Sequence, residues 1–315
     1  MSESHVPALA VVVVSFDTRD LLERCLESVR AARPAETIVV DNGSTDGSIE
    51  LVRERFPEAR LLVNETNRGY GAGANQGIAA STAPAVVVLN SDTVLHPQAL
   101  AALAEYLADH PQAAVVGPRL VDPHSRLQRS TYPFPSAADT LLGESGLHLL
   151  VRAIPGLRAR SLRTWSHDRA RRVPWVLGAA LAIRRDAWAS VAGFDEAYFM
   201  YGEELDLSRR LATVGYETHY APVTTVMHVG AASTRRRPVA MRREFVASLR
   251  RYLARHESRS AAIRVLTVLR LIMALRLLRD AARLGLARDE AERARLRAMR
   301  AGTWSILSER GLWWP

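Results

Sequence analysis

Four short stretches concentrate the side chains able to do chemistry. "VDNGSTDGS" (40–48) ends an apolar run in a carboxylate, Asp41, where an uncompensated charge is costly to desolvate. Such a carboxylate can accept the N3–H of uracil or thymine, selecting a pyrimidine nucleotide, or it can close an Asx turn on its own loop. Asp46 in the same stretch reads as a helix cap. "LNSDT" (89–93) carries Asp92, a hard oxygen ligand for Mg2+ or Mn2+ that could bridge to a diphosphate, with Asn90 and Ser91 beside it; as a plain turn it needs no metal. "GEELDLSRR" (202–210) sets Glu203, Glu204 and Asp206 close together, so that repulsion raises one pKa and suits that group to general-base work. Alternatively these acids meet a helix dipole and Asp206 pairs with Arg209 or Arg210. His228, between an apolar run and "VGAAS", is a metal ligand if Asp92 lies near it and an ordinary structural histidine otherwise.

A fifth stretch, "NRGYGAGANQG" (67–77), is rich in glycine and leads into a helix, so Gly69 and Gly71 could let the backbone approach a phosphate. It also satisfies a loose dinucleotide fingerprint with Asp92 further on, a weak signal by itself.

The elements that must position these residues are legible as a pattern. "LAVVVVS" (9–15), "ETIVVD" (36–41), "ARLLVN" (59–64) and "AVVVLN" (85–90) are near-continuous apolar runs, as strands covered on both faces read. Helical stretches over 19–32, 46–56, 71–81 and 97–109 alternate with them, which predicts a doubly wound α/β sheet. Ligands of such sheets bind beyond the carboxyl ends of the strands, where the polar clusters stand. Residues 122–135 and 152–172 read as surface loops or a flap, 173–185 as one buried strand, 193–211 as a loop entering a helix, and 225–233 as a strand and a small-residue turn. From about residue 240 the chain reads as helices.

Composition narrows the class. The chain has 315 residues, is 48% hydrophobic and 24% charged, and holds one cysteine, which excludes an internal disulfide framework or a Cys-rich zinc site. No basic-then-apolar leader opens it, and no apolar run is long enough to span a bilayer. All 42 basic residues other than histidine are arginine. Residues 1–234 hold 22 of them against 26 acids, whereas residues 235–300 hold 19 against 6. A mildly acidic domain thus carries a strongly basic tail, and an anionic surface is its expected partner. In "IRVLTVLRLIMALRLL" (263–278), Arg264, Arg270 and Arg276 point about 120° apart on a helix, leaving no clean amphipathic face. The segment reads as lying at a membrane interface, against a partner or on the domain's own core, with Trp304, Trp313 and Trp314 as interfacial anchors or a hydrophobic cap.

Taken in order, "VVVVSFDTRDLLERCLESV", "VDNGSTDGS", "NRGYGAGANQG", "LNSDTVL", "GAALAIRRDAW", "GFDEAYFMYGEELDLSRRL" and "HVGAAS" resemble a family 2 glycosyltransferase of the GT-A fold, over roughly residues 8–235. The resemblance implies an inverting, metal-dependent sugar transfer. It places Phe16 on the base, Asp41 as acceptor of its N3–H, Asp17 alongside, and Asn67, Gly69 and Asn75 around the nucleotide. "NSD" stands where the family has D-x-D, with Asp92 as metal ligand and Asn90 departing from the usual aspartate. His228 completes the metal's protein ligands, Glu204 is the base, Glu203 and Asp206 orient it or hold the sugar, and Trp175 and Gly178 border the acceptor.

Within the family, "FMYGEELDLSRRL" and "QRSTYPFPS" are most similar to bacterial rhamnosyltransferases of cell-surface assembly. That likeness implies a dTDP-L-rhamnose donor, or a UDP-hexose in its place, and a lipid-linked or polysaccharide acceptor. The expected organisation is a catalytic domain over 1–235 (nucleotide half 1–118, acceptor half 119–235) and a basic helical extension over 236–315. It would be cytoplasmic and peripheral on the inner face of the membrane, or self-associated through its helices, without nucleic acid. The rivals are a nicotinamide-dependent oxidoreductase using 67–77, and a non-catalytic polyanion-binding module using the tail.

Overall fold

The computed structural model describes residues 8–154, 156, 161–162, 164–230, 238–287 and 289–314. The end of the "HVGAAS" motif (231–233), Arg235–Arg237 and parts of the Arg-rich 152–172 stretch lie outside the described residues. The chain divides into two compact units, one of residues 1–133 with 166–235, the other of residues 134–165 with 236–315.

The first unit alternates β1 (Leu9–Ser15), α1 (Arg19–Ala32), β2 (Glu36–Asp41), α2 (Ser48–Arg55), β3 (Arg60–Val63), α3 (Tyr70–Ala80), β4 (Ala85–Asn90), β5 (Thr93–Leu95), α4 (Ala99–Asp109) and β6 (Ala113–Val121). Short strands β7 (Leu127–Gln128) and β8 (Thr131–Tyr132) follow. In the second unit come α5 (Ala137–Ser145) and α6 (His148–Ala153). The first unit then resumes with β9 (Arg171–Val173), β10 (Trp175–Val176), β11 (Ala180–Arg184), α7 (Arg185–Ser190), α8 (Glu203–Thr213) and β12 (Glu217–His228).

The sheet runs β3-β2-β1-β4-β11-β6-β12-β5. Its first four strands are parallel, and β6 is parallel to β12; β11 is antiparallel to both neighbours. It is therefore a mixed sheet with a parallel half. Every residue of β1 is buried, as expected of a strand covered on both faces. Leu22, Cys25, Leu26 and Val29 of α1 recur at helical spacing and are buried, and Leu100, Leu103, Ala104 and Leu107 of α4 do the same. Burial raises the Cys25 thiol to a pKa of about 12, so it serves as a small core hydrophobe.

The glycines of α3 have a packing purpose. A Cβ on Gly77 would stand 2.3 Å from Cγ1 of Val12, and one on Gly73 would stand 2.9 Å from Cγ1 of Val14. Small residues let the helix lie directly on β1. Register then sets the site: Ser15 pairs with Asp41, Val14 with Asn90, and His228 with Thr93, beside Asp92.

Two expectations change. The single strand over 173–185 is broken at Leu177–Ala179, where the backbone turns to bond Ser130 and Asn90 instead of continuing one ladder. The 122–135 stretch, read as a surface loop, carries β7 paired with β6 and β8 paired with β10, and beyond it α5 begins on a Ser136 cap.

In the second unit, α9 (Pro238–His256), α10 (Arg259–Leu286) and α11 (Glu290–Ser308) complete the chain, with Ser258 and Asp289 capping the last two. Arg242 and Arg276 both reach the Glu144 carboxylate of α5. Trp313 is buried with its indole N–H on the Ile306 carbonyl, whereas Trp304 and Trp314 are exposed. Among the described residues no helix is long and apolar enough to cross a membrane.

Candidate functional site

A cavity of about 500 Å³ opens in the first unit beyond the carboxyl ends of β1, β2 and β4, where an α/β sheet offers a ligand site. Phe16, Asn67, Asn90, Ser91, Asp92, Gly178, Glu203, Glu204 and His228 line it. Loops widely separated in the sequence therefore meet on one surface.

At one part of that surface, Asp92 and His228 are nearly buried side by side. Asp92 Oδ2 accepts from the Gly230 amide at 3.0 Å, and Oδ1 lies 3.3 Å from His228 Nε2. His228 Nδ1 is 2.8 Å from Gln128 Oε1. A carboxamide oxygen cannot donate, so Nδ1 carries a proton and Nε2 turns toward the carboxylate. A neutral imidazole would set two lone pairs against each other. A divalent cation between them reconciles the two: the Asp92 carboxylate and a ligand's oxygens are donors of the kind that Mg2+ or Mn2+ takes, with the imidazole completing the set. Among the described residues no cluster of three His, Cys, Asp or Glu side chains could hold a metal alone.

Glu204 enters the same cavity from the first turn of α8. Its Oε1 accepts from the Gly178 amide at 3.3 Å, while Oε2 is buried and has no hydrogen-bond partner among the described residues. Burial raises its pKa, and the amide hydrogen bonds offset only part of that rise. Desolvation, more than the repulsion among three carboxylates expected from the sequence, is the cause. Tyr70 donates to the Gly178 carbonyl at 2.5 Å, so the break between β10 and β11 is pinned from both sides. Burial, and then the charges of Glu203 and Glu204, raise the Tyr70 pKa well above its ordinary value and keep it a donor. A positive φ at Tyr201 (66°) followed by Gly202 (96°) swings the chain into α8 at this point.

Six expected site residues stand elsewhere. Asp41 is buried behind the rim, its Oδ1 accepting from the Gly43 and Ser44 amides and its Oδ2 from the Ser44 hydroxyl: the Asx-turn alternative is the one observed. Asp17, at φ 49°, accepts from the Thr45 amide and donates its own N–H to Ser44 Oγ, tying the β1 and β2 loops together. Gly69 is covered by protein, since a Cβ there would meet the Phe199 carbonyl oxygen at 2.3 Å. Asn75 is a staple: Oδ1 accepts from Trp188 Nε1 and the Phe194 amide, and Nδ2 donates to the Phe194 carbonyl and Glu196. Asp206 holds Arg210 at 2.6 Å, and that guanidinium donates to the Val191 and Gly193 carbonyls. Trp175 stacks on Tyr132 with its indole N–H on the Pro133 carbonyl.

Sequence reasoning missed Tyr70, Gln128 and Asn42, which do line it. Asn42 donates to the Gly69 carbonyl and accepts from Asn64, joining β2 to the start of α3. Gln128 opens the "QRSTYPFPS" stretch, but nothing in its local pattern pointed to a histidine a hundred residues away.

A family model described as "Glycosyltransferase like family 2" matches residues 7–251. The chain is 35% identical over 250 residues to an N-acetylglucosaminyl-diphospho-decaprenol L-rhamnosyltransferase of Mycobacterium tuberculosis, covering 74% of this chain and 79% of that one. It is 24% identical to the rhamnosyltransferase WbbL of Escherichia coli, covering 78% and 92% respectively. Among solved structures, a mannosyltransferase from Pyrobaculum calidifontis in complex with GDP-Man and Mn2+ superposes with a TM-score of 0.56 at 18% identity, over 98% of this chain and 88% of that one. GalNAc-T7 with UDP, GalNAc and Mn2+ gives 0.52 at 16%, over 71% and 44%. At such identities the structural likeness carries the fold, the GT-A arrangement of an α/β sheet.

Proposed function

Because this chain belongs to the glycosyltransferase like family 2 and is a glycosyltransferase, we propose that it inverts configuration as it moves L-rhamnose from dTDP-L-rhamnose to a lipid-linked sugar of the cell envelope. The observation that carries this reading is Glu204: a buried carboxylate with an unpartnered oxygen, on the same cavity as the Asp92–His228 pair. Its raised pKa makes it a stronger base than an exposed glutamate.

In this reading the Glu204 carboxylate takes the proton of the acceptor hydroxyl while that oxygen attacks the anomeric carbon. The sugar–phosphate C–O bond breaks on the opposite face, and the nucleoside diphosphate leaves. Gly178 and Tyr70 hold Glu204 in place, and Glu203 borders the sugar. Phe16, Asn67, Asn90 and Ser91 border the nucleotide, while Asp17 and Asp41 brace the turn that forms its rim. Asp92 and His228 would hold Mg2+ or Mn2+, with Gln128 fixing the imidazole. When bound, that ion neutralises charge developing on the diphosphate.

The rhamnosyltransferase names of the relatives support rhamnose as the sugar moved and, in the first of them, a polyprenyl-diphosphate sugar as acceptor. A lipid-borne acceptor also accords with a peripheral location at the inner face of the membrane.

Thermal melting with dTDP and UDP, each with and without Mn2+ or Mg2+, tests the nucleotide and metal parts. The expected result is metal-dependent stabilisation by one of them that is lost in Asp92→Ala; no response to either pyrimidine diphosphate contradicts the reading.

A further inference from the structure

Helix α10 does not have the even distribution of charge expected of it. Arg276 turns toward the second unit's own chain, donating to the Glu144 carbonyl and pairing with its carboxylate at 3.1 Å. Arg270 reaches the Leu307 carbonyl and lies 5.8 Å from the centre of the Trp313 ring. With those two arginines drawn onto protein partners, the outward face is left apolar. Leu271, Leu275, Leu278 and Leu286 are 59%, 64%, 66% and 80% exposed. At roughly 100° per residue they and Ala282 fall within an arc of about 80°, and the stripe is about 22 Å long. The opposite face, Val265, Leu266, Leu269, Ile272 and Met273, is buried, so the stripe is not this helix's contribution to the core.

An exposed row of leucines this long marks an interaction surface. Charge identifies the occupant. Arg264 lies on the same line toward the N-terminal end, and Arg283 stands on its flank in the last turn; both are exposed, and neither forms an ion pair among the described residues. The surrounding tail, residues 235–300, holds 19 arginines against 6 acids. Leucines for the acyl boundary, arginines for headgroup phosphates and a length too polar to span are the properties of a helix lying in an interface.

We infer that the Leu271–Leu275–Leu278–Leu286 face of α10 docks the protein on an anionic lipid bilayer. The inference accords with the membrane-borne acceptor proposed above, but it does not depend on donor, metal or catalysis, so either can fail alone.

The test is co-sedimentation of the full-length protein with vesicles of phosphatidylcholine alone or mixed with phosphatidylglycerol, alongside light scattering without lipid. The wild type is expected to bind the anionic vesicles and to release them in high salt. The triple variant Leu271→Gln/Leu275→Gln/Leu278→Gln should lose at least tenfold in partitioning, and Arg264→Gln/Arg283→Gln severalfold, with melting temperatures unchanged because these side chains are exposed. Unaltered vesicle binding by the triple variant overturns the inference. So does a wild type that ignores vesicles but forms a dimer the triple variant abolishes, which would make a second copy of the chain the occupant.

Discussion

At the scale of single residues, polar side chains divide by what already satisfies them. Asp206 and Asn75 have the chemistry of ligand-binding groups, yet one holds Arg210 and the other holds the Phe194 backbone. Nothing local in the sequence separates such a residue from Glu204, because the partners that decide the matter come from elsewhere in the chain. Glu204 is set apart by burial that its hydrogen bonds compensate only in part, and this has a measurable cost. Since burial raises its pKa in the folded state, the folded protein holds that proton more tightly than the unfolded chain does. The sign follows: ionisation of Glu204 subtracts from stability as pH rises above the ordinary glutamate range, and it subtracts most above the raised pKa. Glu204→Gln should therefore melt higher than the wild type at about pH 8, with the gap closing toward about pH 4, where both states are protonated. Melting curves across that range check it; a gap that widens on acidification contradicts it.

Secondary elements show why the glycine-rich run near residue 70 misleads. "GYGAGANQG" resembles a phosphate-binding loop, but its glycines at 73 and 77 face Val14 and Val12 on the strand beneath. Val12 is buried and β-branched, with a side chain that has few rotamers to yield. Gly77→Ala is expected to destabilise the protein by about 1–3 kcal/mol through overpacking. Combined with Val12→Ala it should cost less than the sum of the two single changes, since one defect accommodates the other. Denaturant titration of the four forms measures this, and simple additivity would show that the helix does not rest on β1 as described. The apolar strands β1, β2 and β4 were readable because burial on both faces leaves a continuous signal. Helices α5 and α6 were not, because they are short and lie in a stretch punctuated by proline, glycine and arginine, and α5 takes its support from α10, more than a hundred residues away.

For the whole molecule, the asymmetry of charge was visible in composition, but the grouping of segments was not. Residues 134–165 belong with 236–315 in one compact unit, although the sequence suggested that they completed the acceptor half. Truncation after Arg235 would thus strip α5 of the helix it packs against and leave Glu144 without Arg242 and Arg276. Such a product is expected to aggregate or melt several degrees lower, and not to behave as a minimal catalytic domain. Soluble yield and thermal melting decide this, and a truncated chain as stable as the full one contradicts the grouping.

In the proposed function, one cavity joins a nucleotide-diphosphate end at Asp92 and His228 to a proton-accepting end at Glu204. This function is tested most directly by measuring donor-nucleotide binding and sugar transfer in the same Glu204→Gln protein. Binding of dTDP with Mn2+ at wild-type affinity, together with transfer slowed by about 10²–10⁴-fold, is the predicted result. Transfer at a near-normal rate would contradict the account, because a residue other than Glu204 would then be taking the proton.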